Sequence, residues 1–237
     1  MKNQQIDKLS NKDWLTDSEQ RALIDVIEQS FTGVDADVYF AKYFASSSHF
    51  QRCVRLFYQE NSLVGYCLLT FSYGEERSII MGASAAFLPS YRGNNNTFSF
   101  SFLWALKTYL MRPSYTLYYL DTMLSPAMYR AMGKKLAYIF PNPTMTQDQI
   151  NHYQALVKDA EKSPWRELAC LKTVGRSTNY SGSELACLKA SRKAEIAFYH
   201  LVNPDFANGR ALLVLIPINI KQLLLTGIKW LKQRLLR

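Results

Sequence analysis

The stretch "CVRLFYQENSLVGYCLLTFSYGEERSIIMGASAAFL", residues 53–88, constrains the fold more than any other. Its apolar residues gather in three runs, near 52–58, 63–72 and 78–88, broken at Glu60-Asn61 and Gly74-Glu75. Short apolar, aromatic-rich runs separated by polar, glycine-containing breaks read as antiparallel hairpins.

Helical spacing surrounds this meander. In "DSEQRALIDVIEQSF", residues 17–31, Asp17 and Ser18 are cap candidates, and Leu23, Ile24, Ile27 and Phe31 recur at helical intervals. Residues 36–46 predict a second short helix with an aromatic face of Tyr39, Phe40, Tyr43 and Phe44. After the meander, "TFSFSFLWALKTYLMR" predicts a helix that ends before Pro113. "SYTLYYLDTM" predicts a strand. "SPAMYRAMGKKL" starts a helix with Ser125 as cap and Pro126 in the first helical position, and Gly133 is placed to end it. This order implies an α/β (α+β) fold, a mixed and mostly antiparallel sheet flanked by helices. Two successive strand-helix units favour a parallel pairing of their strands.

Composition narrows the chemistry. With 237 residues and 48% apolar content, the chain can bury a core without covalent staples. The net charge of +9 favours anionic partners such as phosphorylated cofactors or an acidic membrane surface. Cys53, Cys67, Cys170 and Cys187 form no closely spaced pair, and His49, His152 and His200 are scattered, so no metal is expected. No recognised module or basic-aromatic stripe points to nucleic acid. The polar start, "MKNQQIDKLSNKDWL", carries no secretory pattern, and no uninterrupted apolar run reaches spanning length. The expected location is cytoplasmic, with a peripheral membrane association left open.

Between the third strand and the next helix lies "FLPSYRGNNNT", residues 87–97. A turn that hands a strand over to a helix N-terminus presents free backbone N–H groups and partial positive charge, which suit a phosphate. Here the chain resembles the GNAT superfamily of acyl-CoA-dependent acyltransferases, over residues 17–142. In that family the turn reads Gln or Arg, two residues, Gly, one residue, then Gly or Ala. Arg92-Gly93-Asn94-Asn95-Asn96-Thr97 lies in this register, with Asn95 where the family has Gly and Thr97 where it has Gly or Ala. Asparagine tolerates the left-handed backbone better than most residues. A second match is Ala127-Met128-Tyr129-Arg130-Ala131-Met132-Gly133, in which Tyr129 and Gly133 keep the family's spacing.

The resemblance implies that residues 92–97 cradle the pyrophosphate of acyl-CoA or acetyl-CoA. It also implies that Tyr129 protonates the departing thiolate; Tyr129 as an ordinary helix-face aromatic is the competing reading. The family's general base has no obvious counterpart, because "SIIMGASAAFL" holds no ionisable residue. Asp121, at the end of the next strand, is the nearest candidate, with a strand-end carboxylate as the competing reading. Glu195, His49 and His200 are outside candidates, and a water molecule can serve a neutral amine.

The expected domains are a core of residues 1–143 and an extension, 144–237, that completes the acceptor side. Within the extension, 146–161 predicts a helix, and 211–218 predicts a buried strand. "ELACLK" occurs twice, at 167–172 and 184–189, as two similar strands or two helix turns. The end, "KQLLLTGIKWLKQRLLR", places Leu224, Ile228, Leu231 and Leu235 on one helical face, with Lys229, Lys232 and Arg234 off it. Such a helix either lies on an anionic membrane surface through 221–237 or docks on its own domain with its basic face solvated. The functional expectation is acyl transfer from acyl-CoA, acetyl or longer, to an unidentified amine. Two alternatives stay open: a donor carried by an acyl-carrier protein, and an inactive module that binds a membrane or a protein.

Overall fold

The computed structural model describes residues 3–92 and 97–235. They belong to two compact units, Met1–Thr116 and Leu117–Arg237.

The first unit begins with a strand absent from the sequence expectations, β1 (Asn3–Leu9). It lies at the edge of the order β1-β3-β4-β5, where polar residues are tolerated and alternation is weak. Helix α1 (Asp17–Ser30) follows, capped by Thr16 rather than by Asp17 or Ser18. The Thr16 hydroxyl accepts from Glu19 N–H, and Glu19 Oε2 accepts from Thr16 N–H at 2.7 Å. This reciprocal pair satisfies two donors that the helix itself cannot. The short β2 (Phe31–Thr32) and α2 (Ala36–Phe40) come next, and α2 continues as a π-helical turn through Ala45.

The three apolar runs form β3 (Gln51–Gln59), β4 (Ser62–Tyr73) and β5 (Ser78–Phe87), paired antiparallel in sequence order. One face of β3 and β4 places Val54, Leu56, Tyr66 and Leu68 against Leu23, Ile27, Tyr39 and Phe44 of the α1-α2 layer. The opposite face meets α3 (Thr97–Met111). There Arg55 lies 4.6 Å over the Phe100 ring, and Phe71 lies 6.4 Å from Trp104. β4 is thus covered on both sides, which explains a continuous apolar run where a half-exposed strand would alternate.

The second unit contains β6 (Thr116–Met123), α4 (Pro126–Gly133), α5 (Gln147–Leu156), β7 (Glu161–Lys162), β8 (Ala169–Thr173) and β9 (Ser177–Thr178). It continues with α6 (Gly182–Lys189), α7 (Ala194–Val202), β10 (Arg210–Ile218) and α8 (Ile220–Leu235). Its strands run in the order β6-β10-β8-β7, again antiparallel. The fold is therefore mixed α/β with mostly antiparallel strands. β10 has a partner on each side and is buried along nearly all its length. Tyr153 of α5 donates its hydroxyl to the Leu213 carbonyl at 2.8 Å.

The repeated hexapeptide resolves into two different structures. The copy at 167–172 feeds β8, and the copy at 184–189 lies inside α6. Six identical residues cannot carry the difference, so their surroundings do. Ser181 caps the second copy, with Glu184 returning to Ser181 N–H at 2.7 Å. The first copy has no such cap and pairs with β10 instead, Leu171 against Leu212.

Helix α8 also departs from expectation. Its polar residues, not its apolar stripe, face the protein. Gln222 and Thr226 are buried, whereas Ile220, Leu224, Ile228 and Leu231 are exposed. Gln222 accepts from Tyr138 N–H at 3.0 Å and donates to the Tyr138 carbonyl at 2.8 Å. Thr226 Oγ1 accepts from Ala137 N–H at 3.1 Å. Lys229 Nζ donates to the Gly133 and Leu136 carbonyls at 2.9 and 2.6 Å.

Candidate functional site

The turn after β5 begins with a 3-10 turn over Pro89–Tyr91. Arg92 follows, and α3 opens at Thr97. Gly93, Asn94, Asn95 and Asn96, the heart of the expected pyrophosphate cradle, lie outside the described residues. Arg92 is half-buried, and its guanidinium turns back onto the protein. Nε donates to the Phe87 carbonyl and Nη2 to the Ser30 carbonyl, both at 3.4 Å. These bonds tie the turn to the end of β5 and the end of α1. Thr97 starts α3, and its carbonyl accepts from the Ser101 hydroxyl at 3.1 Å.

Tyr129 belongs to the second unit, on α4, whose start is held by the Ser125 hydroxyl accepting from Met128 N–H at 3.2 Å. It is buried between the rings of Phe198 and Tyr199, each 5.9 Å away. Its hydroxyl donates to the Pro141 carbonyl at 2.8 Å. Burial pushes its pKa well above the ordinary phenol value, and the Glu195 carboxylate pushes it in the same direction. The phenol is thus held protonated. A proton donor must keep its proton until it is needed, but this proton is already directed at a carbonyl. Transfer to a sulfur would require the hydroxyl to turn from Pro141.

Asp121 sits within β6 opposite Val214, half-buried. Its carboxylate accepts from the Tyr119 hydroxyl at 3.0 Å and from Thr122 N–H at 2.7 Å. These two partners belong to its own strand, and the geometry agrees with a strand carboxylate as well as with a base. Of the outside candidates, His200 hydrogen-bonds through Nε2 to the Leu188 carbonyl at 3.0 Å and packs on Phe206. His49, in the first unit, has a buried Nδ1 without a hydrogen-bond partner among the described residues. Burial, then the neighbouring Arg52 charge, push its pKa below the ordinary imidazole value.

Around Tyr129 the second unit encloses a cavity of about 360 Å³, lined in part by Gly133, Tyr138, Glu195, Phe198 and Lys229. Glu195 lies 3.7 Å from Arg130 Nε, too long for a hydrogen bond but close enough for ionic attraction. Burial pushes Lys229 below the ordinary lysine value, with Glu195 opposing it. The cavity therefore offers aromatic walls, one carboxylate and a lysine whose hydrogens are directed at two carbonyls. Of these residues the sequence pointed to Tyr129 and Gly133, through the family's spacing, and to Glu195 as an outside candidate. Lys229 was expected on a solvated basic face and Tyr138 had no expected role; Gln222, Thr226 and Lys229 form a polar stripe at helical spacing, and that stripe docks on 133–138.

No protein-family model and no curated protein matches this chain. Several solved structures are similar to it, described as N-acetyltransferases or as a probable N-acyltransferase. One is a conserved protein of Enterococcus faecalis V583 described as a probable N-acyltransferase, at 14% identity and a TM-score of 0.38. The likeness covers 56% of this chain but only 33% of that one. The ribosomal-protein-S18-alanine N-acetyltransferase of Escherichia coli matches at 10% identity over 91% of this chain and 96% of its own, with a TM-score of 0.36. An aminoglycoside 6'-N-acetyltransferase complexed with coenzyme A matches at 9% identity over 90% and 97%, with a TM-score of 0.39. At these identities and TM-scores the activities of those proteins do not transfer to this chain.

Proposed function

We infer that this chain is an acyl-CoA-dependent N-acyltransferase, with an acetyl or longer acyl-CoA as donor and an amine as acceptor. The observation that carries the reading is the handover from β5 through Pro89–Tyr91 and Arg92 to α3, which opens at Thr97. Arg92 at the exit from the strand and Thr97 at the N-terminus of a long helix support a phosphate site there, since backbone N–H groups at a helix start receive a phosphate. The cavity beside Tyr129 supports an amine acceptor, since the Glu195 carboxylate can accept from an amine N–H beside the rings of Tyr129, Tyr138 and Phe198.

In the reaction the neutral amine attacks the thioester carbonyl carbon. The carbon-sulfur bond breaks, and the electron pair leaves with sulfur. Tyr129 supplies a proton to the thiolate after its hydroxyl leaves the Pro141 carbonyl. The proton released by the acylated nitrogen passes to water, or to Asp121 acting as base, and Tyr129 takes a proton back from water, so the enzyme returns to its starting state.

The test is calorimetric binding of acetyl-CoA and a long-chain acyl-CoA to the whole protein. A turnover assay against a panel of amines accompanies it, repeated with an acyl-carrier protein as donor. Arg92→Ala should weaken donor binding about tenfold, because the turn loses its ties to Phe87 and Ser30. Tyr129→Phe should lower turnover and leave donor binding within about twofold. Failure of the intact protein to bind either CoA or carrier-protein donors would overturn the reading.

A second reading, an inactive binding module, draws support from the same geometry. The Tyr129 proton is engaged with Pro141, and the Asp121 oxygens accept from Tyr119 and Thr122. Donor binding with no turnover of any amine would select it.

A further inference from the structure

Amphipathic helices ordinarily bury the apolar face and solvate the polar one. Helix α8 does the reverse. Ile220, Leu224, Ile228 and Leu231 share one face at helical spacing and are 64, 61, 49 and 55% exposed. The opposite face holds Gln222, Thr226 and Lys229, and it is occupied by hydrogen bonds to the backbone at 133–138. The helix cannot roll its leucines inward without breaking those five bonds. Its apolar stripe is therefore presented outward by construction.

The charge around the stripe indicates its partner. Lys221 and Lys232 adjoin it and are exposed, and α8 contains no acidic residue. A protein partner would have to offer an apolar groove with an acidic rim to match both features. An anionic bilayer offers both, acyl chains for the leucines and headgroup phosphates for the lysines. No helix among the described residues is long and apolar enough to cross a membrane. The geometry is that of a helix lying in the interface plane, held to its protein by the polar side.

We propose that α8 docks this protein on anionic lipid bilayers through Ile220, Leu224, Ile228 and Leu231, with Lys221 and Lys232 at the headgroups. The sequence already allowed a membrane role for 221–237. The structure adds which face is free and what prevents it from closing. This proposal is independent of acyl transfer.

The test is flotation of the whole protein with vesicles of phosphatidylcholine plus phosphatidylglycerol, and with vesicles of phosphatidylcholine alone. The protein should float with the first and much less with the second. Leu224→Glu combined with Ile228→Glu should reduce flotation about tenfold or more, and Lys221→Glu with Lys232→Glu should reduce it on anionic vesicles. These side chains are exposed, so thermal unfolding of the variants should match that of the parent, and this comparison guards against misfolding. No flotation of the parent protein with anionic vesicles overturns the proposal, as does equal flotation of the leucine variant. So does a vesicle-free dimer of the parent that the leucine variant converts to monomer, since the stripe would then serve a second copy of the chain.

Discussion

Gly65 lies on β4 opposite Phe87 of β5, and the Phe87 ring occupies the space where a side chain at 65 would stand. A Cβ there would also come within 2.8 Å of the Ala86 carbonyl oxygen. Gly65→Ala is expected to destabilise the first unit by about 1–3 kcal/mol, read as a lower urea midpoint, because ring and backbone must both shift. Glu19 gives a residue-scale prediction with a sign. Burial alone would raise its pKa, but Thr16 N–H and the Lys8 ammonium outweigh burial, and the folded value lies below the ordinary one. The stabilisation is complete above the ordinary carboxylate range and is lost as the pH falls through the lowered folded value. Glu19→Gln should therefore flatten the acid side of a stability-against-pH profile. At this scale the sequence was informative about residue type and silent about commitment. Tyr129 and Arg92 are named through the resemblance to a family motif. Their present partners, Pro141 for one and Phe87 and Ser30 for the other, are distant in sequence or are bare carbonyls, and no motif records a carbonyl.

Elements were legible where their own pattern decided them. The three strands of residues 53–88 and the helix after Ser125 match their expected bounds closely, because strong alternation breaks and a cap with proline are local signals. β1 was not legible, since an edge strand with one neighbour needs little apolar content. Neither was the fate of "ELACLK", in which cap and neighbour decide what composition leaves open. Ser181→Ala removes the cap that holds the second copy helical. It should cost α6 about 1 kcal/mol and speed amide exchange across 182–189, with exchange in β8 unchanged. Gln222→Ala deletes both bonds to the Tyr138 backbone, leaving a donor and an acceptor unpaired. A loss of about 2 kcal/mol in chemical unfolding is expected, with faster exchange along α8.

For the whole molecule, the net charge of +9 acts on any anionic surface, and salt shortens its reach from about 10 Å at 0.1 M to about 3 Å at 1 M. Flotation on anionic vesicles should therefore weaken as salt rises, while the part due to the exposed leucines and isoleucines persists. A flat salt response would mean that the basic residues contribute nothing to docking. The duplicated hexapeptide has one more consequence, for thiol chemistry. Cys170 and Cys187 have the same two neighbours on each side, yet Cys170 is buried in β8 and Cys187 is exposed on α6. Burial pushes the Cys170 thiol, like that of Cys53, up to about 12, and Cys67 is buried as well. A maleimide offered to the folded protein should attach at Cys187 alone, and unfolding should release its twin. The chain thus carries a fluorophore site and a matched internal control for it in the same six-letter word.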